Sequence, residues 1–111
     1  MNRVIWKFDV HPAGFVVEMP RGARLLTVAL QSGPHEAQRH YPHSGALEWA
    51  AAGPRVWALV DTDAPRVKRR LATVGTGQPL PDETDGWACV GSFQMHGGAL
   101  VFHLFDAGEE G

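Results

Sequence analysis

Apolar and polar residues alternate over several short stretches of the chain, and this two-residue period is typical of β-strands. In residues 3–10 every second side chain is apolar, whereas Lys7 and Asp9 occupy positions between them. Residues 55–61 return to a strand pattern, and residues 67–74 divide into two alternating faces, with Val67 and Leu71 on one and Lys68 and Arg70 on the other. The period of the pattern therefore predicts a β protein, with each strand burying one face.

Glycine and proline interrupt this pattern often, with 13 glycines and 8 prolines in 111 residues, and such frequent breaks favour short strands. We expect the first two strands to form a hairpin around residues 11–14, and residues 24–31, apolar on both faces, to be covered on both sides. The fold class that we predict is all-β, a compact single-domain sandwich or small barrel of about seven strands. The predicted strands are residues 3–10, 15–19, 24–31, 55–61, 67–74, 87–95 and 99–105.

Residues 33–54 do not follow the strand pattern, and we interpret them as an inserted excursion between two strands. Dense alanine and the closing Gly53 predict a short helix near residues 45–52. The single β domain is expected to cover residues 1–107, followed by a flexible acidic tail at 108–111.

The insert contains three histidines, with four residues between the first two and two between the last two. A structural zinc site usually takes four ligands, and no cysteine lies nearby. We therefore assign no metal site to His35, His40 and His43.

Charge and composition narrow the possible partners. The formal net charge of −2 argues against a general polyanion binder, so a nucleic acid is not an expected partner. The single cysteine, Cys89, excludes an intramolecular disulfide, and its position in a predicted strand indicates a small buried side chain. No leader is apparent, and no run approaches the roughly 20 apolar residues of a membrane span. We expect a cytoplasmic protein without membrane contact.

A cationic strand that leads into a glycine-rich segment is the best local indication of chemistry. Arg66, Lys68, Arg69 and Arg70 precede residues 75–78, which read Gly-Thr-Gly-Gln. Glycine-rich backbone can present several N–H groups to an anion, although the Gly-Lys-Ser/Thr ending of a phosphate-binding loop is missing. Only one face of a strand can line a site, and we favour Lys68 and Arg70. The alternative is an exposed strand face with ordinary charges.

Aromatic and histidine residues add to this candidate site. Trp57 is predicted on the face opposite the apolar side of its strand, where it could stack on a ligand. Gly97 and Gly98 predict a turn with positive φ that holds His96 at an exposed tip, whereas His103 is expected to be packed. The predicted ligand-binding residues are Trp57, Lys68, Arg70, Gly75, Thr76, Gly77, Gln78 and His96.

The sequence places no nucleophile or carboxylate beside these histidines. General acid–base or nucleophilic catalysis would need such a partner. We therefore assign no catalytic residue and no cofactor, and we expect a protein that is not an enzyme.

Several blocks of the chain resemble an uncharacterised family of small proteins from phages and bacterial genomes. These blocks are VIWKF, MPRGARLLTVALQSG, VWALVDTDAP, VGTGQPLP and VGSFQMHGGALVFHLF. The resemblance covers most of the chain and implies no reaction and no catalytic residues. Members of that family pass from the third to the fourth strand by a short turn, so residues 33–54 look like an elaboration.

The cationic strand, residues 75–78, the tryptophans and the phage-like resemblance together leave two possible functions. The first is a non-enzymatic, phage-type counter-defence protein of the host cytosol, which sequesters a small anionic, nucleotide-like ligand or blocks a host protein. The alternative is a phage accessory or assembly protein that acts through protein contacts without a small ligand. A concave pocket with cations and an aromatic ring would favour the first function, and a flat apolar patch the second. Exposed strand edges favour a homo-oligomer in either case.

Overall fold

The computed structural model describes residues 2–31 and 53–110, which form seven antiparallel strands in two sheets. The first sheet has the strand order β1-β4-β3 and the second the order β2-β5-β7-β6. The two sheets form a sandwich without barrel closure, which confirms the predicted all-β fold. The strands are β1 (Arg3–Asp9), β2 (Ala13–Pro20), β3 (Arg24–Leu30), β4 (Pro54–Asp61), β5 (Arg66–Gly75), β6 (Ala88–Met95) and β7 (Leu100–Glu109), with 3-10 turns at Asp82–Gly86 and His96–Gly98.

The predicted insert and its helix lie almost entirely outside the described residues, as do the three histidines His35, His40 and His43. The points where the chain leaves and returns are close together, because the Gln31 N–H donates to the Gly53 carbonyl at 2.5 Å.

The core lies between the two sheets, where the inward side chains of both meet. Met19, Leu71 and Leu104 are fully buried, one on each of three strands of the larger sheet. Fully burying an apolar side chain of this size contributes about 1.5–3 kcal/mol. The buried apolar residues are Val10, Met19, Ala23, Val28, Val56, Ala58, Val60, Leu71, Ala72, Phe93, Met95 and Leu104.

Two expectations about strand neighbours are wrong. The first two strands do not form a hairpin, since β1 pairs with β4 and β2 pairs with β5 in the other sheet. Strand β3 is not covered on both sides, because it lies at the edge of the smaller sheet with Leu26 and Leu30 exposed. Both errors have the same cause: an apolar pattern shows which strands are buried but not what covers them.

The predicted hairpin of the last two strands, with a turn of positive φ at Gly97 and Gly98, is confirmed. Strands β6 and β7 pair from Met95 opposite Leu100, and the turn has positive φ at His96, Gly97 and Gly98, with values of 54°, 66° and 93°. His96 is exposed, as expected.

One further expectation near the end of the chain is wrong. Cys89 is exposed rather than buried, since it lies on the edge strand β6. Within the predicted tail at 108–111, residues 108 and 109 belong to β7, and Gly111 lies outside the described residues. Strand β7 continues to Glu109, and the Glu110 N–H donates to the Lys68 carbonyl at 2.8 Å.

Antiparallel pairing gathers the strand termini at two opposite ends of the sandwich. The starts of β1, β3 and β5 and the ends of β2, β4 and β7 lie together, and we call this the arginine end. The opposite end carries residues 75–78 and the turn His96–Gly98, and we call it the loop end.

Candidate functional site

Three arginines from separate segments border one cleft at the arginine end. The cleft has a volume of about 370 Å³, and we call it the arginine cleft. Arg3 opens β1 opposite Asp61, and Arg24 opens β3 opposite Leu59. The lining residues are Arg3, Arg21, Gly22, Arg24, Leu59, Val60 and Asp61.

The third arginine, Arg21, is placed by a tight turn between β2 and β3. The Ala23 N–H donates to the Pro20 carbonyl at 3.2 Å, and Gly22 has a φ of 80°. A positive φ at this position requires glycine in a turn of this kind. The Gly22 N–H donates to Glu109 Oε2 at 2.6 Å, which fixes the turn to the end of β7.

The cleft concentrates positive charge on a chain whose net charge is negative. Within the described part of the chain, Arg3, Arg21 and Arg24 form no salt bridge and no side-chain hydrogen bond. Asp61 is the one carboxylate in the lining. Backbone N–H donors of Asp63 and Asn2 lower the pKa of Asp61, so it is ionised. Three guanidinium groups and one carboxylate leave a net local charge of about +2 at neutral pH.

A fourth arginine at this end has a structural role instead. Arg69 donates to both carboxylate oxygens of Asp106, at 3.0 and 2.7 Å, and to the Ala23 carbonyl at 2.7 Å. Its side chain is only 12% exposed. This network connects β5, β7 and the turn that carries Arg21. Arg69 is therefore occupied inside the fold, whereas the cleft arginines face solvent.

Trp57 lies on the outer face of the smaller sheet, the same face as Leu59, which lines the arginine cleft. Trp57, Leu59 and Asp61 alternate along β4 with Val56, Ala58 and Val60, which are buried. This placement confirms that Trp57 lies outside the main core, where it is half-buried. Trp57 lies two residues from Leu59, a distance of about 6.6 Å along a strand.

The structure divides the other predicted binding residues between the two ends of β5. Lys68 and Arg70 are exposed near the arginine end, and Gly75 closes the strand at the loop end. Lys68 and Gly75 are seven positions apart, which corresponds to about 23 Å along a strand. One small anion therefore cannot contact both.

Arg70 contacts neighbours on the outer face of the larger sheet. Its guanidinium lies 5.7 Å from the centre of the Trp87 ring and 3.8 Å from Glu83 Oε1. Both neighbours belong to the connection of residues 76–87, which runs back from the loop end to the start of β6.

The glycine-rich segment at the loop end lines a cavity of its own, with a volume of about 240 Å³. We call it the loop cavity. Thr76 Oγ1 and His103 Nε2 are 2.8 Å apart, and the Gly75 N–H donates to Gln78 Oε1 at 2.8 Å. The lining residues are Val74, Gly75, Thr76, Gly77, Gln78, Leu80, His103 and Phe105.

Four of the predicted binding residues line this cavity, whereas His96 and Trp57 do not. These four are Gly75, Thr76, Gly77 and Gln78. His103, which the sequence assigned to packing, is half-buried and faces the cavity. Its alternation with the inward residues Phe102 and Leu104 is the signal that could have shown this orientation.

The cleft was missed because Arg3 is far along the chain from Arg21 and Arg24, which are three residues apart at a turn. No local pattern connects Arg3 with the other two. In residues 2–31 and 53–110, no group of three or more His, Cys, Asp or Glu side chains could hold a metal ion. The same residues contain no helix with the length and apolar content needed to cross a membrane.

Comparison with known proteins gives one match. A family model described as a domain of unknown function (DUF7352) matches residues 1–111. No curated protein and no solved structure matches the chain.

Proposed function

The chain belongs to the DUF7352 family, and we propose that it is a non-enzymatic protein that binds a small anionic ligand in the arginine cleft. The observation that carries this proposal is the convergence of three arginines without salt bridges, in the described residues, on one concave surface. Guanidinium groups suit phosphate and carboxylate because their donors match the spacing of the oxygens. An anion would also offset the mutual repulsion of these cations.

The ligand that we propose is nucleotide-like. Leu59 offers an apolar floor beside the arginines, and Trp57 follows on the same face. A ligand with its phosphates at Arg3, Arg21 and Arg24 could extend along β4 and place a base against these side chains. Base–aromatic stacking contributes about 1–3 kcal/mol.

Calorimetry with pyrophosphate and ADP tests this proposal directly. Arg24→Gln should weaken the binding of both by about ten-fold or more, since a hydrogen bond to a charged group contributes about 1.5–3 kcal/mol. Trp57→Leu should reduce the affinity for ADP and leave pyrophosphate unchanged.

The matched control is Arg66→Gln, which removes an exposed arginine at the same end. Arg66 lies 5.3 Å from the Trp6 ring and does not line the cleft. It should change the affinity less than two-fold. If neither compound binds the wild-type protein, the proposal fails, and contacts with a protein partner become the better explanation of the arginines.

The biological setting that we propose is sequestration of such a ligand during phage counter-defence, in the host cytosol. This setting depends on the sequence resemblance alone, because the family match says nothing of phage origin. We also propose a homo-oligomer, since β1, β2, β3 and β6 are edge strands and Val16 on β2 is 50% exposed.

A further inference from the structure

The loop cavity is separate from the arginine cleft and differs from it in chemistry. Its lining contains no Lys, Arg, Asp or Glu among the described residues. It lies at the opposite end of the larger sheet, so a ligand in the cleft would not reach it. The polar groups that it offers are neutral donors and acceptors together with one imidazole.

Apolar side chains form most of the walls of this cavity. Val74 and Phe105 project from the outer face of β5 and β7, and Leu80, which is 52% exposed, belongs to the connection 76–87. An aromatic ring and two aliphatic side chains around a volume of about 240 Å³ suit a flat ring system of nucleobase size.

The polar groups of the cavity are held in defined positions. Gln78 Oε1 accepts the Gly75 N–H, so the amide nitrogen of Gln78 remains a donor. Thr76 Oγ1 and His103 Nε2 share one hydrogen bond, which leaves the hydroxyl group a further acceptor or donor position. The Gly77 N–H has no hydrogen-bond partner within the described residues.

We propose that the loop cavity binds a neutral, planar heteroaromatic ring that both donates and accepts hydrogen bonds. The ring would lie against Phe105 and Leu80, with its polar edge toward Thr76, Gly77 and Gln78. A charged ligand is disfavoured, because it would be desolvated against apolar walls without an opposite charge in the lining. A ligand can approach the backbone closely at Gly77, because even an added Cβ there would meet no atom within 4 Å.

Adenine is a suitable probe, and benzoate is a charged ring for comparison. In amide chemical-shift titrations of the whole protein, adenine should give saturable shifts at residues 75–78 and at His103. Benzoate at the same concentrations should leave these signals in place. No shift with adenine, or equal shifts with benzoate, would overturn the proposal.

The variant Thr76→Val removes the hydroxyl group and keeps the shape of the side chain. It should weaken the apparent affinity for adenine at least five-fold. The matched control is Ser92→Ala, an exposed position opposite His103 on β6 that does not line the cavity, and it should change the affinity less than two-fold. Equal affinities of the wild type and Thr76→Val would contradict the assigned contacts.

Arg24→Gln separates this inference from the proposed function. The adenine titration at residues 75–78 should be the same in this variant as in the wild type. If the arginine cleft did not bind pyrophosphate, the proposal for the loop cavity would be unaffected. If the loop cavity did not bind adenine, the proposal for the arginine cleft would be unaffected.

Discussion

The two ends of this sandwich present different groups to solvent around their cavities. At the arginine end, a buried ion pair between Arg69 and Asp106 connects β5, β7 and the turn at Gly22. At the loop end, glycine backbone conformations and neutral hydrogen bonds, such as that between Gln78 and Gly75, hold residues 75–78 and the turn His96–Gly98. An ion pair occurs at the loop end too, since Arg55 Nε lies 3.0 Å from Asp9 Oδ1, so the two ends differ in the groups that border their cavities.

This difference explains why the two cavities suit different ligands. At the arginine end, Arg69 has its own carboxylate partner, and the solvent-facing cleft arginines are left to bind an anion. At the loop end the polar groups of the lining are neutral and already oriented, so they suit an uncharged ring. Sequence proximity would have joined the cations of β5 to the glycines of the loop, but the extended strand separates them.

The largest expected effect is at the largely buried ion pair between Arg69 and Asp106. Arg69→Met leaves the Asp106 carboxylate, which is 13% exposed, without its cation. Removing one partner of a buried pair typically costs about 3–5 kcal/mol. Chemical denaturation should show a loss of this size in the free energy of unfolding.

The double variant Arg69→Met with Asp106→Leu is the control for this effect. Replacing both partners with apolar residues often costs little, so much of the stability should return. Arg24→Gln should change stability by less than about 0.5 kcal/mol, as is usual for an exposed side chain. If Arg24→Gln and Arg69→Met lowered the free energy of unfolding equally, Arg24 would have a structural role like that of Arg69 and would not be free to bind an anion.

At the loop end the strongest test concerns backbone conformation. Gly98 has a φ of 93°, and an added Cβ would lie 3.2 Å from Gln94 Oε1. A β-branched residue is poorly tolerated at positive φ, and strain of this kind costs about 1–3 kcal/mol. Gly98→Val should therefore lower the free energy of unfolding by that amount.

His96 provides the comparison within the same turn. It is exposed and itself has a φ of 54°, so His96→Gly should stabilise the protein by up to about 1 kcal/mol. His96→Ala should leave folding nearly unchanged. A large loss on removing the imidazole would show that side-chain contacts, rather than backbone conformation, hold this end.

The smallest expected effect is a pH dependence at His11, which lies at the loop end. Burial lowers the pKa of His11 below its usual value of 6.5, Arg55 lowers it further, and Asp9 partly opposes them. The unfolded chain therefore binds the proton more readily than the folded protein. The stabilising contribution is complete above about pH 6.5 and declines as the pH falls below that value.

Thermal unfolding between pH 7.5 and 5.5 measures this contribution. His11→Gln should flatten the decline of Tm toward acid. Identical slopes for wild type and His11→Gln would show that the His11 ring stays equally hydrated in both states.

Local patterns were sufficient for the elements of the fold but not for the neighbours of each strand. The alternation in β1, β4 and β5 located those strands, and the glycines at 97 and 98 located the final turn. The strand order was not predictable in this way, because any strand offers the same backbone donors and acceptors to any partner. The expected hairpin of β1 and β2 failed for this reason.

For the candidate sites too, the sequence identified residues that depend on a local pattern but not residues that meet only in the folded protein. The sequence identified residues 75–78, which line the loop cavity, and the outward position of Trp57 on β4. It did not identify the cleft, because Arg3 is distant along the chain from Arg21 and Arg24 and meets them only through the pairing of β1 and β3 with β4.

The sequence by itself determined the all-β class, most strand positions and the glycine turns, because each depends on a few neighbouring residues. Only the tertiary structure decided which arginines pair with carboxylates, Arg55 with Asp9 and Arg69 with Asp106, and which three face a common cleft. It also decided that the cations and glycines of β5 lie at opposite ends of the molecule. Burial and charge pairing are set by contacts between distant segments, and these contacts exist only once the two sheets have assembled.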